Sequence, residues 1–99
     1  MISIKIHKSY RTIVAVADSN LLGKKFEEGN LQIDIREKFF KGDEYLIEKA
    51  KEIMIQQKRE DSTFNIVGEN SIKTALKAGI IAEQGIIKIN NIPIALVLL

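Results

Sequence analysis

The chain has 99 residues, 45% of them hydrophobic and 28% charged, with a formal net charge of +2. That is enough apolar material for one core, hence one domain over residues 1–99, and too much for a disordered chain. The absence of cysteine excludes a disulfide scaffold, thiolate catalysis and every cysteine-based zinc motif, and it fits a reducing cytoplasm.

Met1 opens directly into a strand pattern rather than into a leader. No apolar run reaches the roughly 18–20 residues that span a bilayer, so no membrane role is expected. The net charge is too small to demand a polyanionic partner, but its distribution is uneven. Residues 1–42 hold 8 Lys/Arg against 5 Asp/Glu, a balance of +3. Residues 43–99 hold 7 against 8, a balance of −1. The basic half is where an anionic partner would bind.

Along the chain, Ile2, Ile4 and Ile6 alternate with Ser3, Lys5 and His7, the period of a half-buried strand. Arg11 to Ala17 is a second run rich in β-branched residues, and the break at Ser9-Tyr10 makes a hairpin of the two. Asp18-Ser19-Asn20 is a cap cluster, with Asp18 or Ser19 capping a short helical turn through Leu21 and Leu22. Phe26 to Asn30 is read as a loop in which Gly29 permits positive φ, and Leu31 to Arg36 as a third strand.

The clearest helix covers Asp43 to Lys58, with Leu46, Ile47, Ala50, Ile53 and Met54 as its apolar stripe. Asp43 and Glu44 lie in its first turn and Lys58 and Arg59 at its end, matching the helix dipole. Thr63 to Val67 is a fourth strand. Gly68 turns the chain into a helix over Glu69 to Ala78, ended by Gly79. Ile86 to Ile89 and Pro93 to Leu98 are two further strands, joined through Asn90-Asn91. The near-continuous apolar run Ile92 to Leu99 belongs in mid-sheet or in a buried edge. The expected fold is α+β: a small mixed sheet of about five to six strands, packed with two main helices and one short helical turn.

Three segments resemble the archaeal family called domain of unknown function 424. They are Leu21-Leu22-Gly23-Lys24-Lys25-Phe26-Glu27-Glu28-Gly29, then Asn65-Ile66-Val67-Gly68-Glu69 with Ala75 to Ile81, then Ile92-Pro93. The resemblance implies an archaeal cytoplasmic protein tied to translation or RNA metabolism. It departs at Ile94, where the family pattern carries a more polar residue.

Three groups of residues are candidates for binding. Lys5, His7, Lys8, Tyr10 and Arg11 cluster on the first hairpin, where cations meet phosphates and an exposed tyrosine stacks on an unpaired base. Lys24 and Lys25 sit between glycines and could offer ammonium groups and amides to a phosphate, although the Walker spacing is absent. Gly68, Asn70 and Ser71 open a helix whose N-terminal amides suit a small anion, with Glu69 opposing it. Each group also has a structural reading: a solvated strand face, a connector anchored by Leu21, Leu22 and Phe26, and a capped helix.

His7 is the only histidine, no metal-ligand spacing is present, and no serine has a nucleophile context, so neither metal, cofactor nor catalytic residue is expected. The leading expectation is a non-enzymatic binding protein whose partner is RNA or the ribosome. The alternatives are a protein-interaction module, either a homodimer or an adaptor to a translation factor, and a binder of a small phosphate ligand.

Overall fold

The structure is a computed structural model that describes residues 1–98. Its elements are β1 (Ile2–His7), β2 (Ile13–Asp18), β3 (Lys25–Glu28), β4 (Leu31–Asp34), α1 (Glu37–Phe40), β5 (Asp43–Tyr45), α2 (Ile47–Arg59), β6 (Thr63–Val67), α3 (Glu69–Lys77), β7 (Ile87–Ile89) and β8 (Ile92–Val97). Short 3₁₀ turns occupy Ser19–Leu21 and Glu83–Gly85. Six strands form one sheet in the order β5-β1-β2-β6-β8-β7, and β3 and β4 form a separate two-stranded ribbon. The β2–β6 pair is parallel and the other pairs are antiparallel. The expected α+β fold with a mixed sheet and two main helices is the fold observed.

Strand alternation divides the core in two. Ile2, Ile4, Val14, Val16, Phe64, Ile66 and Ala95 face α2 and α3, meeting Ala50, Met54, Ile72 and Ala75. The other face presents Ala15, Ala17, Val67, Ile89 and Ile94 to Leu21, Ile35 and Phe40, which belong to the excursion between β2 and β5. The sheet is thus the middle of three layers. Its second face is covered by the ribbon, near β7, and by α1, near β1 and β2.

Two expected elements differ. Asp43–Tyr45 is not the first turn of the long helix but an edge strand paired with Ile2–Ile4. Long-range contacts override the local helical pattern there. A Cβ on Gly42 would lie 2.0 Å from the Ile4 carbonyl oxygen, so only glycine allows the chain to run this close to β1. The helix starts at Ile47, leaving Leu46 and Ile47 exposed at 71% and 45% rather than in the apolar stripe. Lys25–Glu28, read as loop, is a strand: Gly29 at φ 61° turns it onto Leu31–Asp34.

The remaining elements match closely. The Asn90-Asn91 turn has φ values of 51° and 66°, the left-handed pair a two-residue hairpin needs. Gly79 ends α3 at φ 74°. Strand β8 lies between β6 and β7, one strand in from the edge, with Pro93 second in the strand. Of the apolar terminus, Ile94 and Ala95 are buried, Leu96 and Leu98 are exposed, and Leu99 lies outside the described residues.

Candidate nucleic-acid interface

The polar side of β1 is not a solvated face. An α-helix leaves its last carbonyls without internal partners. In the four-residue α1 those of Lys38, Phe39 and Phe40 each receive a hydrogen bond from β1. Lys5 Nζ donates to the Lys38 carbonyl at 2.9 Å. His7 Nε2 lies 2.8 Å from the Phe39 carbonyl, an acceptor only, so this nitrogen carries the hydrogen. The buried Ser3 hydroxyl donates to the Phe40 carbonyl at 3.1 Å and accepts from the Gly42 amide at 2.9 Å. The Lys5 ammonium also suits the negative end of a helix.

These hydrogen bonds bring α1 against the hairpin and assemble a group that was not among the sequence candidates. The His7 and Phe39 rings stack with centroids 4.7 Å apart and planes 14° from parallel. Phe40 meets Phe39 edge-on at 5.0 Å. Beside the stack, Arg36, Lys38 and Phe39 line an open depression of about 320 Å³. Arg36 has a side chain 77% exposed, and its nearest counter-charge, Asp34, is 3.9 Å away and half-exposed. An ion pair of that kind contributes little, roughly 0–1 kcal/mol, so an incoming phosphate can compete for the guanidinium. The signal was present in the sequence: Arg36 to Lys41 interleaves three cations with two phenylalanines.

The other predicted residues fall elsewhere. Lys8, Tyr10 and Arg11 are exposed at the β1–β2 turn, with the Tyr10 ring fully in solvent. Lys24 and Lys25 are exposed beyond the opposite end of β2, so the strand separates them from that turn. Their backbone makes no phosphate nest. The Gly23 amide donates to the Ile35 carbonyl at 2.7 Å and the Lys24 amide to the Leu21 carbonyl at 3.1 Å. Leu21 is buried and Leu22 and Phe26 pack on the second core, which makes this segment a connector with a charged exterior.

The α3 N-terminus is already filled, and this corrects the anion site expected at Gly68, Asn70 and Ser71. The Asp18 carboxylate accepts from the Asn70 amide at 3.1 Å, the Ser71 amide at 2.8 Å and the Ser71 hydroxyl at 2.7 Å. Asp18 therefore caps α3, not the short turn that follows it. Gly68, at φ 109° and ψ 152°, lets the carboxylate approach: a Cβ there would lie 2.5 Å from Asp18 Cγ. Among the described residues, no group of three or more His, Asp or Glu is arranged to hold a metal ion. No helix among them is long and apolar enough to cross a membrane.

On the same face of the sheet, between the ribbon and strands β6, β8 and β7, lies a larger depression of about 450 Å³. Asn65 and Gln32 line it together with apolar side chains that include Ile33, Ile87 and Leu96. Nothing in the strand Thr63-Phe64-Asn65-Ile66-Val67 marked its asparagine except that it is an amide in an otherwise strongly β-forming run.

A six-stranded mixed sheet, clad by helices on one face and by a ribbon and a short helix on the other, places the chain in the α+β class. Within that class the chain belongs to the DUF424 family, a family of proteins of unknown function whose model matches residues 6–99. The structure is similar to the crystal structure of an uncharacterized conserved protein from Methanopyrus kandleri, with a TM-score of 0.86 and 21% identity over 96% of this chain and 88% of that one. At that identity the likeness speaks for the fold alone. No curated protein matches the sequence.

Proposed function

We propose that the protein is a non-enzymatic RNA-binding protein of translation or RNA metabolism, acting in the cytoplasm. The observation that carries this reading is the cationic rim of Lys5, Arg36 and Lys38 beside the His7–Phe39 stack. Cations fix a phosphate backbone, and aromatic groups on the same surface favour unpaired bases over duplex. The lysines at 24 and 25 and the exposed Lys8, Tyr10 and Arg11 are secondary contacts in this reading.

Binding of a labelled single-stranded RNA across a salt series tests it. Affinity falls with salt, and the double variant Arg36→Glu/Lys38→Glu abolishes most of it. Lys24→Glu/Lys25→Glu and Lys8→Glu/Arg11→Glu have smaller effects. Removing one cation–phosphate interaction lowers the slope of log K against log salt by about 0.7. No affinity at low salt, or affinity indifferent to the Arg36/Lys38 variant, refutes the reading.

One observation favours a second reading, a protein-interaction module. Strand β8 pairs with β7 only through Ile92–Ile94, whereas on its other side β6 pairs out to Val97. Its final stretch, with Leu96 exposed at 59% and Leu98 just beyond it at 76%, is an edge that another strand could join. Recovery of a protein partner from native extract after nuclease treatment, abolished by Leu96→Lys, supports this second reading. RNA-dependent recovery supports the first.

A further inference from the structure

We infer that the depression over Asn65 receives an unpaired nucleobase of the bound strand, read by the Asn65 and Gln32 amides. This inference rests on the RNA reading above and names what that surface selects.

The strand register places the two features side by side. Lys5 is opposite Ala15, Ala15 opposite Asn65, and Asn65 opposite Leu96. These four residues form one row across the second face of the sheet. At a strand spacing of about 4.8 Å, the Lys5 and Asn65 backbones are roughly 10 Å apart. Between them Ala15 is fully buried beneath the second core, to which Ile35 and Phe40 belong. A strand whose phosphates meet Lys5, Arg36 and Lys38 crosses this covered stretch to bring a following base over Asn65, a short step because the chain runs from Gln32 at the depression to Arg36 at the rim within four residues.

The chemistry of the depression suits a base. Ile87 and Leu96, 55% and 59% exposed, offer apolar walls to a flat ring. Asn65 sits in a central strand, between Ala15 and Leu96, where apolar side chains are the rule. Neither its amide nor that of Gln32 forms a side-chain hydrogen bond with another described residue. Each amide offers one acceptor and two donors, the pattern that pairs with the edge of a base. A volume of about 450 Å³ falls in the range of small-ligand sites. A peptide strand added to β8 would be held by backbone hydrogen bonds and would leave both amides and the cationic rim unused, which favours the nucleotide.

The test compares labelled oligo(U), oligo(A) and oligo(C) with a duplex of equal length, by fluorescence anisotropy. The wild type prefers one homopolymer by about tenfold and binds the duplex more weakly. Asn65→Ala removes that preference with the salt slope unchanged, whereas Lys38→Ala weakens all three oligonucleotides alike and lowers the slope. Photocrosslinking of a thionucleobase-substituted oligonucleotide marks the Ile87–Leu96 segment. Thermal unfolding of Asn65→Ala matches wild type, because alanine fits beside Ala15. Equal binding of all homopolymers, or a preference that Asn65→Ala leaves intact, overturns the inference while salt-dependent binding keeps the RNA reading. Crosslinks confined to the β1–β2 turn do the same. A complete lack of binding at low salt overturns both.

Discussion

The two faces of the β1–β2 hairpin solve the same problem with opposite chemistry. On one face Asp18 supplies acceptors to the unpartnered amides that open α3. On the other, Ser3, Lys5 and His7 supply donors to the unpartnered carbonyls that close α1. Each charge has the sign its helix end attracts. The difference lies in access. Asp18 is 6% exposed and pressed against Gly68, so its site is closed. The α1 end opens onto a depression where Arg36 and Lys38 stand in solvent. A helix end sealed by the fold's own side chain stabilises the fold, and one left open beside spare cations can also meet a ligand.

The largest effect should come from the closed end. Gly68→Ala puts a Cβ 2.5 Å from Asp18 Cγ, at a backbone conformation that only glycine adopts without strain. The strain costs about 1–3 kcal/mol and the displaced cap about 1–2 more, so urea unfolding should show a loss of roughly 3 kcal/mol. In an Asp18→Ala background the clash is absent, and the same substitution should cost only the strain. Additive losses in that double-mutant cycle would mean that Gly68 is not there for the carboxylate.

That cap shows what the sequence could not reveal. Asp18 looked like a local cap because Ser19 to Leu22 follows it, yet its partners lie 52 and 53 residues on. The first hairpin, β6, α3 and the Asn90-Asn91 turn were legible because periodicity and turn residues are local signals. β5 was not legible, since its strand state depends on Gly42 touching Ile4 across the sheet. The candidate site was half legible. Lys5 and His7 stood out as the polar face of a strand, but their partners on α1 are 33 and 32 residues away. Arg36, Lys38 and Phe39 carried a readable pattern of cations and aromatics, whereas Asn65 gained meaning only from its register beside Ala15 and Leu96.

An intermediate effect is expected at the buried part of the open end. Ser3→Ala removes the hydroxyl that bridges the Phe40 carbonyl and the Gly42 amide. Two backbone groups lose a partner together, at about 1–2 kcal/mol in denaturant unfolding. Because Gly42 leads into β5, hydrogen exchange at Asp43–Tyr45 should rise more than exchange in α2. Uniform loss of protection across both would place β5 and α2 in one cooperative unit and remove the distinction between the strand and the helix it precedes.

The smallest change in stability, and the one that separates the two roles of the open end, is Lys5→Met. The thioether side chain retains most of the apolar stem and loses only the ammonium, whose hydrogen bond to the Lys38 carbonyl is at the surface. Exposed charge interactions of this size contribute up to about 1 kcal/mol, so the unfolding midpoint should move less than in Ser3→Ala. RNA affinity should nonetheless fall, with the salt slope reduced by about 0.7, the signature of one phosphate contact to a single strand. Lys5→Arg should restore the slope, because a guanidinium can serve both the carbonyl and a phosphate. A slope unchanged in Lys5→Met would make Lys5 a capping residue like Asp18, and the open end would then differ from the closed one in exposure but not in purpose.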